Sequence, residues 1–202
     1  QAGRITGGQI LFEGRDLVPL TEKQMITIRG NEISMIFQEP MTSLNPVFTI
    51  GYQLQEAILT HQKVTKAEAV EKSAELLELT RISDARRVLK NYPHQLSGGM
   101  RQRAMIAMSL ACNPKLLIAD EPTTALDVTI QAQVLDLIRD IKKQLNMALM
   151  LITHDLGVIA EMADDILVMY AGKVVEQASA IELFKNPKHP YTKELIASVP
   201  RF

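Results

Sequence analysis

The sequence is poor in cysteine, in net charge and in long apolar runs. Its one cysteine, Cys112, excludes an internal disulfide, fits a reducing compartment and is expected to be a small buried thiol on a helix. A formal net charge of −1 provides no basic field, which argues against nucleic acid as the main partner. No apolar stretch approaches the roughly 20 residues that a membrane-spanning helix needs. With 202 residues, 47% of them hydrophobic, the chain can still bury a core.

The chain also lacks a P-loop. This motif, Gly-x-x-x-x-Gly-Lys-Ser/Thr, holds nucleotide phosphates with its backbone N–H groups and its lysine. The only Gly-Lys pair is Gly172-Lys173, and Val174 follows it. Because other motifs of nucleotide hydrolysis are present, we expect the sequence to be a fragment that begins after the P-loop.

Strand-like and helix-like segments alternate in the second half of the chain. Apolar runs at Leu116–Asp120, Ala148–Thr153 and Ile166–Met169 have the length and composition of buried strands. Apolar residues at helical spacing predict helices over Val128–Leu145 and Leu156–Ala163. This alternation predicts an α/β fold with a mostly parallel sheet that is covered on both faces.

The first half of the chain predicts strands followed by a helical insertion. Gly8–Gly14 is a short β-prone run, and Ile33–Phe37 is apolar enough to be a buried strand. The pattern then becomes helical. We therefore expect residues 49–92 to form a helical subdomain between residues 1–48 and 93–202, which form the α/β core and the C-terminal helices.

Local signals indicate where some elements begin. Thr65 and Glu68 have the spacing of a capping box at a helix start. The segment Lys173–Glu176 follows a glycine turn, which predicts a hairpin at the sheet edge. Final helices are expected around Ala178–Phe184 and Thr192–Ser198.

Polar side chains directly follow the predicted strands. Asp120 and Glu121 lie at a carboxyl strand end, where open α/β sheets bind ligands. Asp120 is suited to hold Mg²⁺, and Glu121 to orient or deprotonate an attacking water. The amide of Gln38 can coordinate Mg²⁺ or the water. The structural alternatives are an acidic turn before Pro122 and a solvent-facing loop glutamine.

Two further segments place polar groups at helix starts. Ser97, Gly98 and Gly99 open a helix, whose unpaired N–H groups and positive dipole end favour a phosphate. A flexible turn is the alternative. His154 follows a strand end and could reach a γ-phosphate or keep the water in line, whereas taken alone it is more typical of packing at a helix start.

With these residues in place, the sequence closely resembles the nucleotide-binding subunit of ATP-binding cassette (ABC) transporters. Gln38 is similar to the Q-loop glutamine, and His154 to the switch histidine. Leu96–Met100 resembles the signature motif, Leu116–Glu121 the Walker B strand with its catalytic glutamate, and Ala125–Asp127 the D-loop. Five motifs in the family's order imply an incomplete P-loop NTPase-like domain with a RecA-like α/β core, in which the signature motif bounds the helical subdomain.

Three segments resemble one group of this family. Residues 38–46, 123–129 and 189–192 are similar to bacterial dipeptide and oligopeptide importers, and nickel importers share such segments. The resemblance implies an ATP-hydrolysing subunit that energises peptide import, with nickel import as the alternative cargo. It also implies a peripheral location on the cytoplasmic face of the bacterial inner membrane.

The resemblance implies partners and site roles as well. Two such subunits form a head-to-tail dimer around two ATP molecules, in which Ser97, Gly98 and Gly99 of one contact the γ-phosphate held by the other. The implied ATP-binding residues also include Gln38, His154 and Asp127, and the implied Mg²⁺ ligands are Asp120 and Gln38. Transmembrane permease subunits dock near Gln38 and the helices of 49–92, and a periplasmic or extracellular substrate-binding protein acts indirectly.

Two other functions compete with transport. An ABC protein of DNA repair or translation usually carries paired cassettes or a coiled-coil insertion, and this chain shows neither. A non-catalytic ABC-like interaction module would lack the P-loop by nature. This alternative is disfavoured because the chain keeps the residues proposed for hydrolysis, which are Gln38, Asp120, Glu121 and His154.

Overall fold

The computed structural model describes Gly3 and residues 5–38, 43–124 and 126–198. The chain divides into two compact units, Gln1–Met150 and Leu151–Phe202. No helix in the described part is both long enough and apolar enough to cross a membrane.

The first unit opens with a small antiparallel hairpin of strands β1 (Leu11–Phe12) and β2 (Arg15–Asp16). Glu13 and Gly14 between them have φ angles of 49° and 78°, the left-handed conformation of a two-residue hairpin turn. The β-prone run predicted over Gly8–Gly14 therefore holds a strand of only two residues, because the chain turns directly after it.

The main sheet has the strand order β3-β4-β5. Its strands are β3 (Ile33–Ile36), β4 (Leu116–Asp120) and β5 (Ala148–Ile152), and the short helix α1 (Glu22–Ile26) precedes them. Strands β3 and β4 are parallel, so their carboxyl ends lie at the same edge of the sheet. The predicted strands over these three segments are confirmed to within one residue at their ends.

Several helices lie between β3 and β4 in the described part of the chain. They include α2 (Ile50–His61), α3 (Lys66–Leu79), α4 (Ala85–Val88), a 3₁₀ turn (Pro93–Gln95) and α5 (Gly98–Ser109). Their shared core consists of fully buried apolar side chains that include Ile50, Leu54, Leu77, Val88, Ala104 and Ala107. The helical character of residues 49–92 is thus confirmed, while their standing as a separate subdomain stays a prediction.

The start of α3 shows the predicted capping box. The Thr65 hydroxyl accepts the Glu68 N–H at 3.2 Å, and the Glu68 carboxylate accepts the Thr65 N–H at 2.7 Å. The backbone and side chain of Thr65 accordingly lower the pKa of the Glu68 carboxyl. The prediction that Cys112 is a buried thiol on a helix is only partly right: Cys112 lies in the turn after α5 and is half-buried, and this burial raises the pKa of its thiol.

We expect Gly51→Ala to destabilise the fold by about 1–3 kcal/mol, because the added methyl group overpacks the helix contact. A Cβ at Gly51 would lie 2.6 Å from the backbone oxygen of Leu89, which already accepts the Gly51 N–H at 2.9 Å. Gly98→Ala is the matched control, because it also lies in a first helical turn and its Cβ would meet no atom within 4 Å. Urea unfolding of both variants checks this, and equal midpoints would contradict it.

Helix α6 (Val128–Leu145) connects β4 to β5 and has the predicted bounds. It begins at the N-cap Asp127 and ends at Asn146, which adopts the left-handed conformation with φ 48°. Its buried residues, Val134, Leu135, Leu137, Ile138 and Ile141, form one stripe along the helix.

The second unit contains a hairpin packed on helices. Its elements are α7 (Leu156–Met162), β6 (Asp165–Tyr170), β7 (Lys173–Ser179), α8 (Ala180–Lys185) and α9 (Pro190–Ala197). Ile166 and Val168 on β6 pack against Leu183 of α8. The prediction that this hairpin forms an edge of the main sheet is wrong for the described residues, where β6 and β7 form a two-stranded antiparallel sheet of their own. The two-residue turn at Ala171 and Gly172 makes β7 the nearest partner of β6.

A carboxylate on β7 fixes the segment before α9. Glu176 accepts the backbone N–H groups of Lys188 at 2.8 Å and His189 at 3.0 Å. The side chain of Thr192 and these N–H groups lower the pKa of the Glu176 carboxyl. The start of α9 is therefore tied to the hairpin.

Candidate functional site

The first part of the candidate site is the carboxyl end of β4. Leu117 and Ala119 are buried along this strand, while Asp120, its last residue, is half-buried. Glu121 follows with φ 45°, a left-handed conformation that non-glycine residues rarely adopt. Such strained backbone is concentrated at functional sites, where surrounding contacts hold it in place.

The strand register brings Gln38 to Glu121. Ile36 on β3 lies opposite Ala119 on β4. Gln38 and Glu121 each come two residues later, so they lie side by side at the edge of the sheet. Gln38 Nε2 donates a hydrogen bond to Glu121 Oε2 at 2.7 Å. Two side chains that are far apart in sequence and were both proposed for catalysis therefore touch.

Hydrogen bonds from Thr124 and Gln102 stabilise the turn after Glu121, and the sequence motifs did not indicate them. The Thr124 hydroxyl donates to Glu121 Oε2 at 2.9 Å, and the Thr124 N–H donates to the Glu121 carbonyl at 3.1 Å. Gln102 of α5, which is only 1% exposed, donates its side-chain amide to the Pro122 carbonyl. The available signals were a hydroxyl three residues after the carboxylate and a glutamine on a buried helical face.

The start of α5 is open to solvent. Ser97 is the N-cap, and its Oγ accepts the Met100 N–H at 3.3 Å, as the predicted hydroxyl cap requires. Ser97 and Gly98 are exposed. A Cβ at Gly99 would lie 3.1 Å from Ile130 Cγ2, so a small residue allows α5 to approach α6 closely. This arrangement leaves the positive end of the helix dipole accessible to an anion.

Asp127 serves as the N-cap of α6. Its Oδ1 accepts the Ile130 N–H at 2.9 Å, and its side chain is exposed. The capping contact explains the position of this carboxylate structurally, and its ATP-binding role stays a prediction. Ala125 of the D-loop segment lies outside the described residues, as do positions 39–42 of the segment that follows Gln38.

His154 belongs to the second unit. It is exposed and lies in the bend between β5 and α7. The next residue, Asp155, caps α7 by accepting the N–H groups of Gly157 at 2.8 Å and Val158 at 3.2 Å. The bend places His154 at a strand end, as predicted, and its catalytic and ATP-binding roles stay predictions.

The sheet edge offers oxygen ligands of the kind that Mg²⁺ prefers. Asp120 contributes a carboxylate and Gln38 an amide oxygen, while the described residues contain no group of three or more His, Cys, Asp or Glu that could enclose a metal. This donor set fits an ion that arrives with a nucleotide, because Mg²⁺ in such sites binds one or two side chains together with phosphates and water.

Curated relatives match nearly the whole chain. It is 60% identical to the probable peptide ABC transporter ATP-binding protein y4tR of Sinorhizobium fredii over 99% of this chain and 60% of that protein. It is 58% identical to the oligopeptide transport ATP-binding protein AppD of Bacillus subtilis over 98% of this chain and 60% of that protein. The dipeptide transport ATP-binding protein DppD of Bacillus subtilis is 54% identical over 99% of this chain and 60% of its own length. The chain thus spans about 60% of the length of these relatives.

Solved structures share the fold. The dimeric ATP-binding cassette MJ0796, in a post-hydrolysis state bound to ADP and Pi, is similar with a TM-score of 0.76 and 25% identity over 87% of this chain and 74% of that one. The cbiO1 protein of Clostridium perfringens, part of the ABC transporter complex cbiONQ, has a TM-score of 0.77 and 26% identity over 90% of this chain and 69% of that one. These likenesses confirm the predicted α/β cassette fold.

Two family models match the sequence directly. The model described as ABC transporter matches residues 2–124, which include Gln38, Ser97 and Glu121. The model described as the oligopeptide/dipeptide transporter C-terminal region matches residues 175–202. Together with the relatives, they confirm the resemblance inferred from the motifs: the chain belongs to the ABC transporter family.

Proposed function

We propose that this protein is the ATP-hydrolysing subunit of an ABC transporter that imports dipeptides or oligopeptides. The observation that carries the chemistry is the contact between Gln38 and Glu121 at 2.7 Å, beside Asp120 at the end of β4. The cargo is proposed from the matched C-terminal region and from the names of the relatives.

The residues at this edge have distinct roles in the proposed hydrolysis of MgATP. Asp120 and Gln38 hold the Mg²⁺ that the nucleotide brings, which offsets the negative charge of the phosphates. Glu121 orients a water molecule and accepts its proton as the new oxygen–phosphorus bond forms and the bond to ADP breaks. In this proposal His154 contacts the γ-phosphate and keeps the water in line.

A second subunit completes the proposed site. The exposed start of α5 presents Ser97, Gly98 and Gly99 to a γ-phosphate held by the partner, and Asp127 faces the nucleotide across the same interface. The family member MJ0796 is itself dimeric with ADP and Pi bound. ATP that contacts both subunits binds the closed dimer more tightly than the open one, and this difference in affinity drives the conformational change.

The helical segment offers a surface for the permease. Phe48 and Tyr52 are exposed and stack with ring centroids 4.6 Å apart, and Val47 beside them is 69% exposed. A groove of about 520 Å³ next to Tyr52 is rimmed by Arg87 and Lys90. We assign residues 49–92 as the subdomain that docks on the transmembrane subunits. The protein then lies on the cytoplasmic face of the bacterial inner membrane, and a substrate-binding protein delivers cargo on the other side.

Transport by the reconstituted complex tests this proposal. The subunit, expressed from its complete gene, is reconstituted with its permease in vesicles and supplied with a substrate-binding protein. We expect uptake of labelled peptide that requires MgATP, and no uptake of nickel. Uptake of nickel without peptide would contradict the cargo assignment, and absence of MgATP turnover would contradict the function as a whole.

A further inference from the structure

Two donors converge on one oxygen of Glu121. Gln38 Nε2 lies 2.7 Å from Oε2, and the Thr124 hydroxyl lies 2.9 Å from the same atom. A carboxylate oxygen has two lone pairs and can accept both hydrogen bonds. Hydrogen bonds to a charged acceptor are among the stronger ones in proteins, so this pair strongly favours one orientation of the carboxylate.

The two donors differ in origin. Gln38 follows the neighbouring strand β3, and the proposed function requires its amide to turn towards Mg²⁺ when the nucleotide binds. Thr124 belongs to the same turn as Glu121, and its own N–H closes that turn on the Glu121 carbonyl. The hydrogen bond from Thr124 to Glu121 can therefore remain when the Gln38 amide turns from Glu121 to Mg²⁺.

A buried side chain of α5 also holds the backbone of this turn. Gln102 is buried in α5 and donates to the Pro122 carbonyl, one residue after Glu121. Glu121 has φ 45°, so its backbone conformation depends on such contacts. With the backbone fixed at Pro122, the remaining freedom of the carboxylate lies in its side-chain torsions, and the hydroxyl of Thr124 restricts these.

We propose that Thr124 is a positioning residue for hydrolysis: its hydroxyl holds Oε2 of Glu121 so that the carboxylate is oriented to receive the proton of the attacking water. The inference rests on the proposed function. General-base efficiency depends on a water–carboxylate geometry held within hydrogen-bond reach, so a carboxylate that rotates freely loses rate without losing nucleotide affinity.

The test compares isosteric and conservative variants of the protein expressed from its complete gene. Thr124→Val keeps the shape and the backbone N–H but removes the hydroxyl, and we expect kcat to fall about tenfold while KM for MgATP stays within about twofold. Thr124→Ser restores a hydroxyl, and we expect it to recover most of the wild-type kcat. Thr124→Ala removes the hydroxyl in a smaller side chain and replaces the valine variant if that one does not fold.

A matched Thr→Val substitution away from Glu121 shows whether a fall in kcat is specific to position 124 or follows from losing any threonine hydroxyl. Thr27 is exposed at the end of α1, and its hydroxyl donates to the Gln24 carbonyl at 2.7 Å. Thr27→Val should leave kcat unchanged. If the wild type is active and Thr124→Val turns over MgATP equally fast, the positioning role of Thr124 is contradicted while the proposed function stands. The same holds if Thr124→Ser is as slow as Thr124→Val. A wild type without MgATP turnover would overturn the proposed function and this inference with it.

Discussion

Replacement of Glu121 by glutamine is expected to lower MgATP turnover by about 100-fold or more, because the site loses its general base. Glutamine has the same length, and its carbonyl oxygen can still accept the hydrogen bonds that Gln38 and Thr124 donate at 2.7 and 2.9 Å. The geometry of the turn is therefore retained, while the proton acceptor is lost. ATP binding should persist, since Asp120 and the start of α5 are unchanged. Phosphate release and calorimetry on the protein from its complete gene measure both quantities.

The control for this variant is Glu75→Gln. Glu75 is an exposed residue of α3, so its substitution removes the same charge from the surface without touching the sheet edge. Turnover of Glu121→Gln within about threefold of the wild type would correspond to a barrier change below about 1 kcal/mol, too small for a general base. Glu121 would then be only the polar end of a turn, as the structural alternative holds.

Elements with strong local signals could be predicted from the sequence to their exact ends. Helix α6 has a capping aspartate before its first turn, a long stripe of apolar residues and an asparagine in the left-handed conformation at its end. Strand β4 is a short apolar run that stops at Asp120. In such elements the local pattern and the tertiary packing favour the same structure, so the sequence is sufficient.

Pairing between strands could not be predicted in the same way. The segment of β6 is apolar enough for a buried strand of the parallel sheet, yet it pairs with β7 in an antiparallel hairpin. The difference is decided by the two-residue turn at Ala171 and Gly172, whose left-handed conformation joins adjacent strands directly. Apolar composition does not distinguish these partners, because either pairing can bury Ile166 and Val168.

The candidate site was only partly predictable for a related reason. The sequence indicated that Gln38 and Glu121 each follow a strand, but their contact depends on the register of β3 against β4. The roles of Thr124 and Gln102 depend on a turn with an unusual backbone conformation at Glu121, which no sequence pattern reports. Sequence therefore supplied the chemical groups, and the fold supplied the partners that orient them.

Replacement of Ser97 by phenylalanine is expected to prevent ATP-driven dimerisation while leaving ATP binding to each subunit in place. Ser97 is exposed at the start of α5, so in the monomer the added ring projects from the surface without entering the core. In the proposed dimer the same position contacts the partner's γ-phosphate, where a ring leaves no room for the nucleotide. Size-exclusion chromatography with ATP, in a Glu121→Gln background that cannot turn over the nucleotide, measures the dimer.

Ser97→Ala separates the added bulk from the lost helix cap. Both substitutions remove the Oγ that accepts the Met100 N–H at 3.3 Å, and this loss costs about 1 kcal/mol of stability in either variant. Only phenylalanine adds volume at the interface, so we expect the alanine variant to retain a substantial fraction of dimer and the phenylalanine variant to elute as a monomer. An undiminished dimer in Ser97→Phe would place the start of α5 outside the nucleotide interface. Equal loss in both variants would instead assign the effect to the hydroxyl and its contacts, because the loss of this hydroxyl is the change that the two substitutions share.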